Sequence, residues 1–376
     1  MINTPRPSRR NAIPQGLLGM IGLMVAVESF FALHGRDFRH IWGWDWRVTR
    51  KAITTEAPRC EVLCVGDSLM KFGLMPQIIE KRLGVRAFNL SLSAGSPPAM
   101  YFVFRHAIEN GARPKAVLVD LAPHGFSFDV NINRVVWPEL FDARDAFDLA
   151  WTTGDSGVFG ETIVGELLPS VRWRSSIRAN LLKAIHSEQN NSRYLAELFL
   201  RSSRRNRGAF ITRQTDAFFG RVDDFTSAFF PPAWKLDPVN LRYVRRFLDL
   251  AARHRVPVYW LMPPFLPEVH TRRAQLGLDG AYSQLLLALQ VRYPNLTVID
   301  ARTSGYGQDA HNDPLHLNRK GAIAFTTDVA EILAQPDAPA SRWIVLPQYR
   351  EPAPALLAED HAPAELAVKE RSASRQ

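Results

Sequence analysis

The stretch Glu61-Val62-Leu63-Cys64-Val65-Gly66-Asp67-Ser68-Leu69 decides the fold. It begins as a short apolar run with the bias of a buried strand, breaks at a glycine, and passes through a small polar turn into a new apolar segment. Four further runs of the same kind follow: Val85–Leu90, Ala116–Asp120, Pro257–Met262 and Leu296–Asp300. Between and after them, residues 75–83, 99–110, 239–254, 281–293 and 320–333 carry apolar side chains at the three-to-four spacing of helices.

This alternation predicts an α/β chain, a flavodoxin-like three-layer sandwich with a five-stranded parallel sheet covered on both faces. In such a sheet the loops at the carboxyl ends of the strands share one crevice. Ser68, Gly95, the segment 120–124 and the late Asp313-Pro314-Leu315-His316 would all converge there.

That convergence has a chemical reading. A serine hydroxyl is a poor nucleophile at neutral pH and needs a base to take its proton, with a third group to orient and stabilise that base. Ser68, His316 and Asp313 supply those three roles. Either half alone reads as ordinary turn chemistry, since small residues follow strands and Asp-Pro starts turns.

The motifs carry a resemblance. Gly66-Asp67-Ser68-Leu69 near the start, Phe88-Asn89-Leu90-Ser91-Leu92-Ser93-Ala94-Gly95 as a second block, and Asp313-x-x-His316 followed by Leu317-Asn318 near the end are similar to the blocks of the SGNH or GDSL hydrolase family. The resemblance covers roughly residues 60 to 334. It implies Ser68 as nucleophile, His316 and Asp313 as its partners, no cofactor and no catalytic metal, and the N–H groups of Ser68 and Gly95 as the oxyanion hole. One block departs from the pattern: the family's Gly-x-Asn-Asp turn is replaced by Val119-Asp120-Leu121-Ala122-Pro123-His124, without asparagine. Losing one oxyanion donor costs about 3 kcal/mol of transition-state stabilisation. His124, or a residue of the inserted region, is a candidate replacement; Asn89 is a candidate oxyanion or substrate contact, although a structural role at the end of its strand is the plainer reading.

Composition narrows the class. The 376 residues are 46% hydrophobic and 22% charged, enough for a full core. The net charge of +9 is scattered and accompanied by no nucleic-acid motif, so it reads as compatibility with anionic surfaces such as phospholipid or acidic glycan. The two cysteines, Cys60 and Cys64, would lie about 13 Å apart along one strand, too far to pair.

Residues 15–34 form a nearly unbroken apolar run, close to the roughly 20 residues of a spanning helix and longer than the apolar part of a cleaved signal. An uncleaved single anchor is expected after a tail of residues 1–14. Basic residues flank both sides, so charge does not set its orientation; the exported side is expected for the domain because similar anchored family members act on envelope glycans. Glu28 inside the run is expected to snorkel or to contact another membrane protein. Residues 35–59 read as a linker, with Trp42, Trp44 and Trp46 either at the membrane interface or packed together. The hydrolase-like domain would span 60–334 with a helical insertion at 125–236 over the crevice, which lids make a determinant of substrate. The insertion's Arg201, Arg204, Arg205 and Arg207 suit an anionic polymer, or more simply a solvated face. Residues 335–376 read as a Pro/Ala-rich tail in which Trp343–Leu346 alone is apolar.

Two functions are expected on this basis. The first is serine-dependent ester hydrolysis or acyl (acetyl) transfer on a cell-surface glycan or another ester, with membrane lipid around the N-terminal helix. The second keeps the fold without catalysis, as a glycan-binding or assembly partner of a membrane acyltransferase. A metal site at His311, Asp313 and His316 lacks an evident fourth ligand.

Overall fold

In the computed structural model, which describes residues 15–39, 41–185, 192–211, 222, 229–335 and 341–353, the strands form a single sheet with every pair parallel. Helices α1 (Gln15–Leu33), α2 (Gly35–Phe38) and α3 (Ile41–Thr55) come first. Then follow β1 (Val62–Val65), α4 (Ser68–Gly73), α5 (Pro76–Leu83), β2 (Ala87–Asn89), α6 (Pro97–Glu109) and β3 (Ala116–Asp120). An all-helical stretch runs through α7 (Trp137–Leu140), α8 (Ala143–Thr153), α9 (Ser156–Leu167), α10 (Pro169–Arg172), α11 (Arg174–Ile185) and α12 (Ser192–Arg205). The chain ends with α13 (Pro238–Arg253), β4 (Val258–Met262), α14 (Pro267–Gln275), α15 (Leu278–Arg292), β5 (Leu296–Asp300), α16 (Arg319–Leu333) and β6 (Trp343–Val345).

Strand order is β2-β1-β3-β4-β5-β6. The first five strands stand in the expected order, but the sheet has six strands rather than five. The sixth comes from the stretch read as a tail: Trp343, Ile344 and Val345 pair in parallel with Val298, Ile299 and Asp300. Its three residues are too short a run to signal a strand by periodicity, and the sheet edge at β5 supplies the pairing that their own sequence does not. Residues 336–340 and 354–376 of that tail, and 1–14, lie outside the described residues.

Alternation along the strands divides the core in two. Leu63, Val65, Val117, Val119, Val258 and Trp260 face one apolar cluster with α3, α6, α13 and α15. Val62, Cys64, Leu118, Leu261 and Ile299 face the other, with α4, α5 and α16. Both cysteines are free and buried, and burial pushes the Cys60 thiol up to about 11 and that of Cys64 further.

The stretch 35–59 is not a linker. Helix α3 packs against α7 and α12, with Trp44 and Trp46 buried rather than at a membrane interface. Between them Asp45 makes a buried ion pair with Lys71 of α4 at 2.7 Å, both side chains 1% exposed. Lys71 also donates to the Ser91 carbonyl at 2.8 Å, Asp45 accepts the Ser93 N–H at 2.7 Å, and Trp46 Nε1 donates to the Ser93 carbonyl at 3.0 Å. Helix α3 therefore grips both the helix that begins at Ser68 and the loop after β2.

Breaking a buried pair leaves one charge uncompensated, at roughly 3–5 kcal/mol. Lys71→Met is expected to lower unfolding stability by about that amount. Adding Asp45→Asn, which keeps an acceptor for Ser93 N–H, is expected to recover most of it; urea unfolding of the two variants measures both.

Candidate active site

Ser68 sits where strand β1 hands over to helix α4, at the point where the sheet's connections part: β2 lies on one side of β1 and β3 on the other. Asp67 is the N-cap of α4, and its Oδ1 accepts the Leu69 N–H at 2.8 Å. Its Oδ2 accepts the Ala122 N–H at 2.9 Å, tying the serine turn to the end of β3. The turn has no room for a side chain at position 66: a Cβ there would lie 2.7 Å from the Asp120 carbonyl oxygen and 2.9 Å from Met70 Cβ.

Residues 248 positions apart then meet. Ser68 Oγ lies 2.9 Å from His316 Nε2, and His316 Nδ1 lies 2.8 Å from Asp313 Oδ2. Asp313 Oδ1 accepts the backbone N–H groups of Leu315 and His316, both at 2.9 Å, which fixes the carboxylate on its own loop. Burial opposes its charge, but the His316 hydrogen bond and those two N–H groups hold its carboxyl below the ordinary range. With Nδ1 facing a carboxylate, the neutral imidazole carries its proton there and leaves Nε2 as acceptor for the serine hydroxyl. Phe72 lies against the imidazole, ring centroids 5.1 Å apart.

The structure brings the other sequence candidates near this site with different outcomes. Asn89 is fully buried: its Nδ2 donates to the carbonyls of Met70 (2.9 Å) and Leu74 (3.2 Å), and its Oδ1 accepts the Ser91 N–H at 3.0 Å. It closes the end of α4, the plainer structural role, with its amide engaged by backbone rather than by a ligand-facing contact. The Gly95 N–H donates to the Leu92 carbonyl at 2.9 Å, closing a turn in which Ala94 adopts φ +54°. An oxyanion at Ser68 would have to share that donor with the turn. The Ser68 N–H opens α4, where the helix ladder offers it no acceptor.

His124 follows β3, and its ring lies 4.0 Å from the Phe229 ring and 5.0 Å from that of Phe128. Burial, then Arg273 and His316, push its pKa down to about 3, so the ring is neutral. Its Nδ1 is buried without a hydrogen-bond partner. Arg273, itself buried, is held by Asp279 at 2.8 Å and donates to the Phe229 carbonyl at 2.8 Å, which keeps that aromatic against His124. Leu69, Ala122, Phe265, Leu266 and Leu315 form a small apolar cluster beside the serine. Phe265 and Leu266 come from the proline-rich stretch after β4, and α14 follows directly.

Two arrangements resemble metal sites. His311 spends its ring on the Gly307 carbonyl, 2.9 Å from Nδ1, and does not join Asp313 and His316 in a ligand set. His106, Asp142 and Asp145 come together, but Asp145 pairs with buried Arg105 and completes a capping box with Asp142 at the start of α8, which accounts for the cluster structurally.

Neither Lys71 nor Asp45 was singled out by motif reading. A signal existed in Lys71, a lone cation in the apolar run Leu69-Met70-Lys71-Phe72, and in Asp45, a lone anion between two tryptophans. Comparison with protein-family models and with curated proteins finds no match to this chain.

Behind the serine turn, Asp120 is 1% exposed with its Oδ1 unpartnered, and burial beside Asp67 drives its carboxyl well above the ordinary range. Asp67 has two N–H donors, so the proton of this close pair belongs to Asp120. A folded carboxyl raised above its unfolded value of about 4 costs no stability below that pH, and costs progressively more as pH rises toward the folded value. Asp120→Asn is therefore expected to unfold at a higher temperature than the parent at pH 7, with the difference vanishing below pH about 4; thermal unfolding across that range measures it.

Proposed function

We propose that this chain cleaves or transfers an acyl group through a serine ester at Ser68. The observation that carries the reading is the continuous Ser68–His316–Asp313 hydrogen-bond chain, assembled from the two ends of the domain at the switch point of a parallel sheet. Ser68 Oγ attacks an ester carbonyl while His316 Nε2 takes its proton, and Asp313 holds the imidazolium. The tetrahedral oxyanion receives the Ser68 N–H and a shared Gly95 N–H, with neutral His124 as a third donor in place of the missing asparagine. Collapse breaks the bond to the leaving alkoxide, which His316 protonates. Water, or a sugar hydroxyl deprotonated by the same imidazole, then attacks the acyl-serine and frees Ser68.

Among the described residues, α1 is long and apolar enough to cross a membrane, as an anchor or a signal sequence. We take it as a retained anchor that holds the domain beside the envelope, on the extracytoplasmic side, with a surface glycan as acyl acceptor or donor. The exposed cations of α12 favour an anionic polymer. One observation favours the non-catalytic alternative, a glycan-binding or assembly partner of a membrane acyltransferase: the Gly95 N–H is already engaged and no side-chain amide faces the serine from the third block. A serine-directed phosphonate separates the two. Covalent labelling of the parent, lost in Ser68→Ala, supports catalysis; no labelling of the parent supports the alternative. Asp313→Asn is expected to lower kcat roughly 10³–10⁴-fold with little change in KM, since it removes a group that acts on the imidazolium rather than on bound substrate. Steady-state hydrolysis of an aryl acetate measures this.

A further inference from the structure

Helix α1 carries one ionisable side chain within its apolar run, and that side chain is occupied. One oxygen of Glu28 accepts the backbone N–H of Ser170 at 2.9 Å and the other accepts the Ser170 hydroxyl, so the apolar helix is fastened to the start of α10. The fastening fixes a depth. Nineteen helical residues extend about 28 Å, close to the roughly 30 Å of a bilayer's hydrocarbon layer. Glu28 lies five residues before Leu33, about 7.5 Å along the axis. When α1 crosses a bilayer, Ser170 lies below the edge of the apolar layer.

The side chains around Ser170 suit that depth. Leu167 at the end of α9 is 72% exposed and Ile185 at the end of α11 is 73% exposed, with Leu181 and Leu182 also exposed between them. The opposite side of α11 is committed to protein: Trp173, just before it, is buried and donates to Glu139 at 3.0 Å, and Asn180 donates to the Asp37 carbonyl at 2.6 Å. An apolar cleft of about 430 Å³ runs between Phe31 of α1 and Ile177, Leu181 and Leu182 of α11. Arg174 and Arg178 stand on its lining. Arg174 reaches Glu161 at 3.3 Å, whereas Arg178 is exposed and makes no hydrogen bond or ion pair among the described residues.

We infer that the end of α9 with α10 and α11 forms a wedge sunk into the bilayer beside α1, and that the cleft seats one acyl chain of an anionic phospholipid whose phosphate pairs with Arg178. The wedge rests on α1 being a retained anchor. It gives the exposed leucines an apolar solvent and lets a long arginine reach the headgroup layer, the ordinary arrangement for such a side chain at an interface. It also keeps Glu28 satisfied in hydrocarbon, where an unpaired carboxylate is costly. Through Arg39, which pairs with Glu139 at 3.0 Å and lies over the rings of Trp44 and Trp173, the wedge is joined to α3 and α7, so the domain is held at a set height over the membrane.

The test uses the full chain in vesicles of phosphatidylcholine and phosphatidylglycerol, with a nitroxide on Leu182→Cys or Ile185→Cys. Cys60 and Cys64 are buried. Val291, 84% exposed on α15, supplies the aqueous control as Val291→Cys. The expected result is a several-fold higher ratio of oxygen to nickel-chelate accessibility at 182 and 185 than at 291. Equal ratios in protein that floats with the vesicles would overturn the wedge and leave the anchor intact; failure to float would overturn both. Native mass spectrometry of protein released from the vesicles reads the lipid site. A phosphatidylglycerol adduct retained by the parent and lost in Arg178→Glu is expected, and equal retention in both would overturn the phosphate contact.

Discussion

The carboxylate of Asp67 is the constraint on which the site depends. By accepting one N–H from the helix that Ser68 opens and one from the chain just beyond β3, it fixes Ser68 to two strands at once. Those two strands are the pair between which the sheet's connections diverge, the place where a parallel sheet leaves a crevice open. Asp67 is buried, and burial raises its carboxyl even though the Ala122 and Leu69 N–H groups oppose the shift; Asp120, more deeply buried and without such donors, is driven well above the ordinary range. The same close packing forbids any side chain at position 66. Strand, turn, helix and neighbouring strand are thus one rigid unit, and the late loop bearing Asp313 and His316 docks against it.

What surrounds that unit gives it specificity and place. Helix α3 holds the serine helix and the loop after β2 through one buried ion pair and two contacts to Ser93. Because α3 follows α1 and α2 directly, the apolar N-terminal helix and the serine turn belong to one connected framework rather than to tethered parts. Beyond β3, Arg273 carries Phe229 onto His124, a neutral ring whose Nδ1 is buried without a partner. On the proposed acyl-serine reading, whether water or another hydroxyl reaches Ser68 depends on what the apolar cluster of Leu69, Phe265 and Leu315 admits.

Most of this was legible in the sequence where local and global signals agree. The first five strands announce themselves because buried strands read as continuous apolar runs, and the strand-end positions of the motifs place Ser68, Asp313 and His316 in one crevice. Legibility failed where a residue's role is set by a distant partner. Residues 35–59 looked like a linker because their tryptophans and charges show no clean period, yet Asp45 is matched by Lys71 across the fold. Trp343–Val345 became a strand only because β5 presents an open edge. Asn89 looked chemical by its place at the end of β2, but an amide beside the carbonyls at the end of a short helix is captured by them. Glu28 was visible as an anomaly; its partner, Ser170, was not.

The central claim is a covalent acyl-serine at position 68. Rapid quenching of the parent protein with an activated acetyl ester, followed by peptide mass spectrometry, tests it most directly. The account predicts one acetyl group on the peptide carrying Ser68, appearing faster than free acetate accumulates and discharged sooner when an oligosaccharide acceptor is added. Acetate released with no acetyl on that peptide, or an adduct that survives Ser68→Ala, would contradict it.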